Sequence, residues 1–290
     1  MQQTGTINSF RNSDSWVILS PTEQCIKQKI EAIGTPLKDW DIKINYGIKT
    51  GFNDSFIIST EKRNEILAEC QTGDEQNKTA ELIRPILRGR DIKRYGYDWA
   101  DLWLINAHNG IKGKLPRIDI NEYPAIKAHL DQYWDKIKER ADQGDTPYNL
   151  RNCAYMEDFL KPKVMYPNMT KFLPFYYDKK GFYQNDKSFM ITGNKIAFLT
   201  AFLNSSLFKF CFIDNFPELQ GGTRELRKIF FDKIPVIQVN NEVDKQFETA
   251  VADIQNDYTK YKAIALDKMI FDLYNLTDEE RNAIRFIEIK

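Results

Sequence analysis

Two periods alternate along the chain and predict its elements. Ile42, Ile44 and Tyr46 alternate with polar neighbours, the period of a half-buried strand. Residues 56–58 read as a second strand beyond the glycine-rich segment 47–53, and residues 102–105 as a third. Further short strands are expected at 164–166, 172–177, 182–183 and 189–191, with turns at Pro174 and Gly181. Helical spacing appears elsewhere. Ser20, Pro21 and Glu23 form a capping-box start, Ile26 and Ile30 recur one turn apart, and Gly34 is the stop. Residues 61–69 look helical and 72–79 read as a polar loop. Ile126, Leu130, Trp134 and Ile137 form one stripe within 122–141, and 195–212 is apolar enough for a buried helix.

Beyond Pro235 strand signals cease, and helices are expected at 242–262, 264–273 and 278–287, the last capped by Thr277 with Glu280. The pattern predicts an α/β (α+β) fold with a mixed sheet followed by a C-terminal helical region. Its expected divisions are a polar, frayed lead-in at 1–15, a main domain at 16–238 and helices at 239–290, with the boundary near Val239. A lead-in of this kind before Trp16 suits a fragment of a longer protein.

Composition changes this picture little. The 290 residues are 42% hydrophobic, 28% charged and 13% aromatic, which suits a globular mixed fold. Lys plus Arg equals Asp plus Glu at 41 each, so the net charge is zero. That balance weighs against indiscriminate polyanion binding, yet a basic face offset by acidic helices fits it. Cys25, Cys70, Cys153 and Cys211 lack paired spacing, so neither a zinc site nor a disulfide framework is indicated. With no signal-peptide core and no bilayer-length apolar run, a cytoplasmic location is expected.

Catalytic motifs are scarce. The glycine-rich cofactor loop and the Asn/Asp-Pro-Pro-aromatic motif of amino-methyltransferases are absent, and Tyr166-Pro167-Asn168 is no substitute. Residues 110–114 have the wrong spacing for a phosphate-binding loop. His108 and His129 are the only histidines, too few for His-based hydrolase or metal constellations. Asp91-Ile92-Lys93 has the form of a nuclease triplet, but Asp41-Ile42-Lys43 has it too, as chance alone provides.

Four segments have nucleic-acid chemistry. Residues 84–94 concentrate Arg84, Arg88, Arg90, Lys93 and Arg94 around Gly89 and Asp91. Arginine forks match phosphates and guanine edges, while a solvated charged loop is the plainer reading. In Gly47-Ile48-Lys49-Thr50-Gly51-Phe52-Asn53 the glycines make a turn whose amides suit a phosphate, and Asn53 matches an adenine edge. A hairpin loop explains the same residues. Residues 161–180 interleave Lys161, Lys163, Lys171, Lys179 and Lys180 with aromatics, a groove-facing loop or ordinary strand packing. Gln220-Gly221-Gly222-Thr223-Arg224 is either a cap for a helix starting near Arg224 or a simple turn.

Together with Pro36-Leu37-Lys38-Asp39-Trp40, Ile86-Leu87-Arg88-Gly89-Arg90-Asp91-Ile92, Lys161-Pro162-Lys163-Val164, Leu203-Asn204-Ser205, Ile234-Pro235-Val236 and Leu273-Tyr274-Asn275-Leu276-Thr277, these segments resemble, in order, the TaqI-like C-terminal specificity domain. The resemblance runs from about Trp16 to Glu288. That domain follows the methyltransferase of bacterial type IIG restriction-modification enzymes and is similar to type I specificity-subunit recognition domains. The resemblance implies a target-recognition domain over 16–238 that reads duplex DNA in the major groove. The helices after 239 would pack on it or on a methyltransferase/endonuclease partner. The resemblance makes Lys49, Thr50, Asn53, Arg88, Arg90 and Arg94 DNA contacts or loop supports, with Gly89 and Asp91 architectural, and Lys93, Lys163, Lys171 and Arg224 of the basic segments are DNA-binding candidates beside them. No cofactor is expected in this chain; S-adenosylmethionine and magnesium belong to the catalytic domains it lacks. The alternatives are a metal-dependent nuclease centred on Asp91 and Lys93, and a helical protein-interaction scaffold.

Overall fold

The computed structural model describes residues 20–286, so the expected lead-in over 1–15 lies outside the described residues. The fold is α+β, with several mixed sheets and many short helices. It divides into two compact units, one of residues 43–170 and 174–196, the other of residues up to 42, 171–173 and from 197 onward. The chain thus divides at 42/43 and 196/197 rather than near Val239. The reason is a pairing invisible to local pattern. Strand Pro235–Ile237 runs antiparallel to Gly34–Pro36, which joins the C-terminal helices to the N-terminal one.

In the second of these units, helix Pro21–Ile33 starts at the Ser20 capping box and buries Ile26 and Ile30. The expected single helix over 195–212 is two helices, Ile196–Leu203 and Ser206–Phe212. Ser205 breaks it by capping the second through the Phe208 N–H (3.0 Å), and Asp267 accepts the Ser206 N–H (2.8 Å). Phe198, Phe208, Phe216, Phe231 and Phe247 line the core, Phe198 and Phe247 edge-to-face at 5.2 Å. Helices Asn241–Asn256, Lys260–Leu273 and Asp278–Ile284 follow, the last with the expected Thr277–Glu280 capping box. The helix expected from Arg224 starts only at Lys228, capped at Arg227, and Arg224 itself lies in a strand. Gly221 and Gly222, both at φ 76°, instead turn strand Glu218–Leu219 back onto Thr223–Glu225.

The first unit has two four-stranded sheets. One has the order Tyr176–Asp178, Lys163–Pro167, Ser188–Gly193, Ile42–Tyr46; the other Tyr183–Gln184, Ile83–Leu87, Leu102–Ile105, Ile57–Ser59. Only Tyr183–Gln184 pairs in parallel, with Ile86 and Leu87, among the registers of the second sheet. All five positions of Lys163–Pro167 are buried, which explains its lack of alternation.

Four expectations fail here. Residues 72–79 are not a loop; Thr72 caps helix Gly73–Leu82 through the Glu75 N–H, and the Glu75 carboxylate accepts the Gln71 and Ala125 N–H groups. The stripe over 122–141 is broken into Pro124–Asp131 and Trp134–Ile137, with Trp134 exposed. Phe56 belongs to a short helix, Asn53–Phe56, and Phe172 is exposed rather than in a strand. All four cysteines are free thiols. Among the described residues no single helix is long and apolar enough to cross a membrane.

Candidate nucleic-acid interface

Two glycine-centred loops meet on a third. Strand Ile42–Tyr46 ends at Gly47, whose N–H donates to Ser188 O (3.0 Å), while the Ile48 N–H donates to Gln184 O (2.7 Å). A Cβ at Gly47 would stand 2.1 Å from Asn185 O, an approach open only to glycine. Strand Ile83–Leu87 leads into the turn Gly89–Asp91, which packs on the same segment. There a Cβ on Gly89 would lie 2.8 Å from Lys187 O, and the Asn185 N–H reaches Leu87 O (3.3 Å). The turn 184–188 therefore fixes the ends of both loops. At this junction the Gln184 carboxamide and the Oδ1 atoms of Asn185 and Asn168 are buried without a hydrogen-bond partner among the described residues. Such groups cost about 1–3 kcal/mol each when left unmet.

The loop residues divide by role. Thr50 is buried and donates its hydroxyl to Asn53 Oδ1 (2.6 Å), so it supports the loop and orients the exposed Asn53. Lys49 is half-buried, its ammonium 5.6 Å from the Tyr46 ring centre. Arg90 and Lys93 are exposed, Lys93 Nζ donating to Arg90 O (3.0 Å) and lying 3.5 Å from Asp98. The Arg94 guanidinium lies over the Tyr95 ring at 5.4 Å.

Arg88, Lys163 and Arg224 are not free contacts. Arg88 grips Asp91 through Nε (2.9 Å) and Nη2 (2.8 Å), and its own N–H also donates to Asp91 (2.8 Å). That pair builds the turn, and hydrogen bonding to Asp91 holds the guanidinium above its ordinary range. Asp91 is 4% exposed and both its oxygens accept from Arg88, so it serves the turn rather than standing open at the surface. Lys163 is 0% exposed, bound to Asp178 and to Phe159 O (2.6 Å); burial pushes its ammonium down while Asp178 opposes. Arg224, in the other unit, donates to Phe216 O and meets Asp214 (3.1 Å) and Glu218 (3.0 Å). Lys171 also belongs to that unit and is exposed, so it does not join the loop cluster by any contact within one unit.

Sequence reasoning missed Arg140. It is buried, with no carboxylate hydrogen bond among the described residues; its guanidinium donates to the carbonyls of Thr50, Asp142, Pro147 and Asn149 and lies 4.5 Å over the Phe56 ring. Burial pushes it down to about 10, so it stays charged at neutral pH. One cation thus ties loop 47–53 to segment 142–149. Asn149 extends the tie by donating to Ile118 O (2.9 Å). Nothing local marks either residue, because their partners are carbonyls scattered through the chain.

A family model described as the TaqI-like C-terminal specificity domain matches residues 84–236, just over half of the chain. None of the curated proteins matches the sequence. Among solved structures, the type IIL restriction-modification enzyme MmeI in complex with DNA is similar over 87% of this chain and 36% of its own, at 13% identity and TM-score 0.59. The type IIG restriction endonuclease BpuSI is similar over 88% of this chain and 34% of its own, at 15% identity and TM-score 0.53. At these identities the likeness is one of fold, and the chain spans about a third of the length of either protein. The chain belongs to the family of TaqI-like C-terminal specificity domains.

Proposed function

We propose that this chain reads a short duplex DNA sequence on behalf of a type IIG-like restriction-modification enzyme. The adenine methylation and cleavage, with their S-adenosylmethionine and magnesium, belong to a separate methyltransferase/endonuclease domain or subunit. The observation that carries this reading is the junction at residues 184–188. It holds two glycine loops rigidly in one unit and leaves Asn53, Arg90 and Lys93 at the surface. Rigid loops bearing a carboxamide and cations suit recognition, in which phosphate contacts set the register and a few side chains read base edges. The family match and the DNA-bound fold relative support the same reading.

The test is an anisotropy titration of the chain on duplexes carrying the host's methylated motif and on scrambled duplexes. Preference for the motif on the order of 10³-fold is expected. Arg90→Ala weakens binding to both duplexes, with its melting temperature unchanged. Equal affinity of the wild-type chain for both sequences overturns sequence reading.

A further inference from the structure

In the same unit a cleft of about 660 Å³ opens between the turn 110–117 and Asp145 with Asn152. Its floor is built, not incidental. Asn109 donates to Asp145 Oδ1 (2.9 Å) and Asn152 Oδ1 (2.6 Å) and accepts the Asp145 N–H (2.8 Å). Gly144 seals that floor, since a Cβ there would stand 2.6 Å from Asn109 Oδ1. The rim carries Lys112, Lys114 and Arg117. Lys112 is exposed and has no carboxylate partner among the described residues. Lys114 pairs with Glu157, and Arg117 lies 3.6 Å from Asp145, both as exposed surface pairs. Pairs of that kind are worth roughly 0–1 kcal/mol, so both cations can turn to a stronger anion without disturbing the floor.

The cleft is fixed to the candidate interface. Arg140 binds the carbonyls of Thr50 and Asp142, and a Cβ at Gly51 would pack 3.2 Å from Asp142 Cβ. Asn149, in the same loop, holds Ile118 just past the basic turn. Anything seated by Asn53 and Arg90 therefore has a rigidly positioned basic cleft in the same unit.

We propose that this cleft binds backbone phosphates of nucleic acid, with Lys112 and Arg117 as the principal contacts and Lys114 as an auxiliary one. The proposal rests on the DNA-reading function above. A phosphate site contributes equally to every sequence, whereas the loops at Gly47 and Gly89 are to discriminate between them.

The experiment measures affinity for motif and scrambled duplexes against salt concentration for wild type, Lys112→Gln and Lys112→Gln/Arg117→Gln. Among the described residues Lys112 has no carboxylate partner to lose, so the single variant separates binding from folding, and melting temperatures check both. Each lost contact is expected to make the salt slope shallower by about one and to weaken both duplexes by roughly fivefold at 0.15 M salt. Binding of inorganic phosphate by calorimetry that is lost in the double variant, with duplex affinity equal in all three proteins, assigns the cleft to free phosphate and overturns the backbone role. Unchanged affinity and slope, with wild-type preference for the motif intact, overturn the cleft but leave the reading of sequence standing. A loss confined to the motif duplex makes these residues base readers and also overturns the proposal. If the wild type binds no duplex even at low salt, both proposals fall.

Discussion

Gly47 and Gly73 show how differently one residue type can be constrained. At Gly47 an added methyl would lie 2.1 Å from one carbonyl oxygen and 2.4 Å from another, both backbone atoms that cannot swing aside. At Gly73, in the first turn of its helix, nothing lies within 4 Å. Gly47→Ala should therefore destabilise the protein by about 3 kcal/mol or more. Gly73→Ala should stabilise it by about 0.4–1 kcal/mol, since the only effect left is fewer unfolded conformations. Urea denaturation reads both as shifts in midpoint at constant slope. A silent Gly47→Ala would mean the turn 184–188 yields easily, and it would remove the rigidity on which the interface depends. At this scale the sequence displayed candidates but not their partners. The cation content of 84–94 was plain, and so were the glycines. That Arg88 spends its fork on Asp91 depends on the tight turn between them. Lys163 meets Asp178 only because Lys163–Pro167 and Tyr176–Asp178 pair in one particular register.

Elements were most legible where their signals are local. The boxes at Ser20 and Thr277 rest on residues three apart, and both form as expected. Helix Gly73–Leu82 was missed because its buried face carries two polar residues, Glu75, which accepts from the distant Ala125 N–H, and Thr79, in place of apolar spacing. Helix Pro124–Asp131 raises a further consequence of burial. His129 Nε2 donates to Ser55 O (3.0 Å), tying this helix to Asn53–Phe56, while Nδ1 is buried with no partner among the described residues. Burial pushes the His129 imidazole below its ordinary range, against the Ser55 hydrogen bond, and does the same to His108. Above about pH 6.5 both folded and unfolded forms are neutral and the full stability is present. As the pH falls below that value the unfolded chain takes up protons first, so stability declines through the depressed folded values. His129→Gln keeps a donor for Ser55 O but cannot titrate. Melting temperatures taken from pH 7.5 down to 5 should fall less steeply for this variant than for the wild type. Parallel curves would show that other groups govern the acid loss.

For the molecule as a whole, a net charge of zero sets how its affinity for DNA can depend on salt. Balanced charge gives little long-range attraction, so the electrostatic term must come from cations that touch phosphates. The structure narrows that set. Lys163 is internal, Arg88 is committed to a turn, and Arg224 is held by two carboxylates, so of the candidate cations Lys49, Arg90, Lys93, Arg94, Lys112 and Arg117 remain within one unit, with Lys114 as an auxiliary. Six contacts correspond to a slope of log affinity against log salt of about −5.4, or a loss on the order of 10³-fold between 50 and 200 mM. A measured slope flatter than about −2 would mean that most of these side chains do not reach the backbone, and recognition would then rest on uncharged groups such as Asn53. A slope steeper than about −8 would require further exposed cations, Lys187 in the junction turn and Lys171 of the other unit first among them. The neutral composition, uninformative by itself, thus becomes a quantitative constraint once the buried and structurally committed cations are set aside.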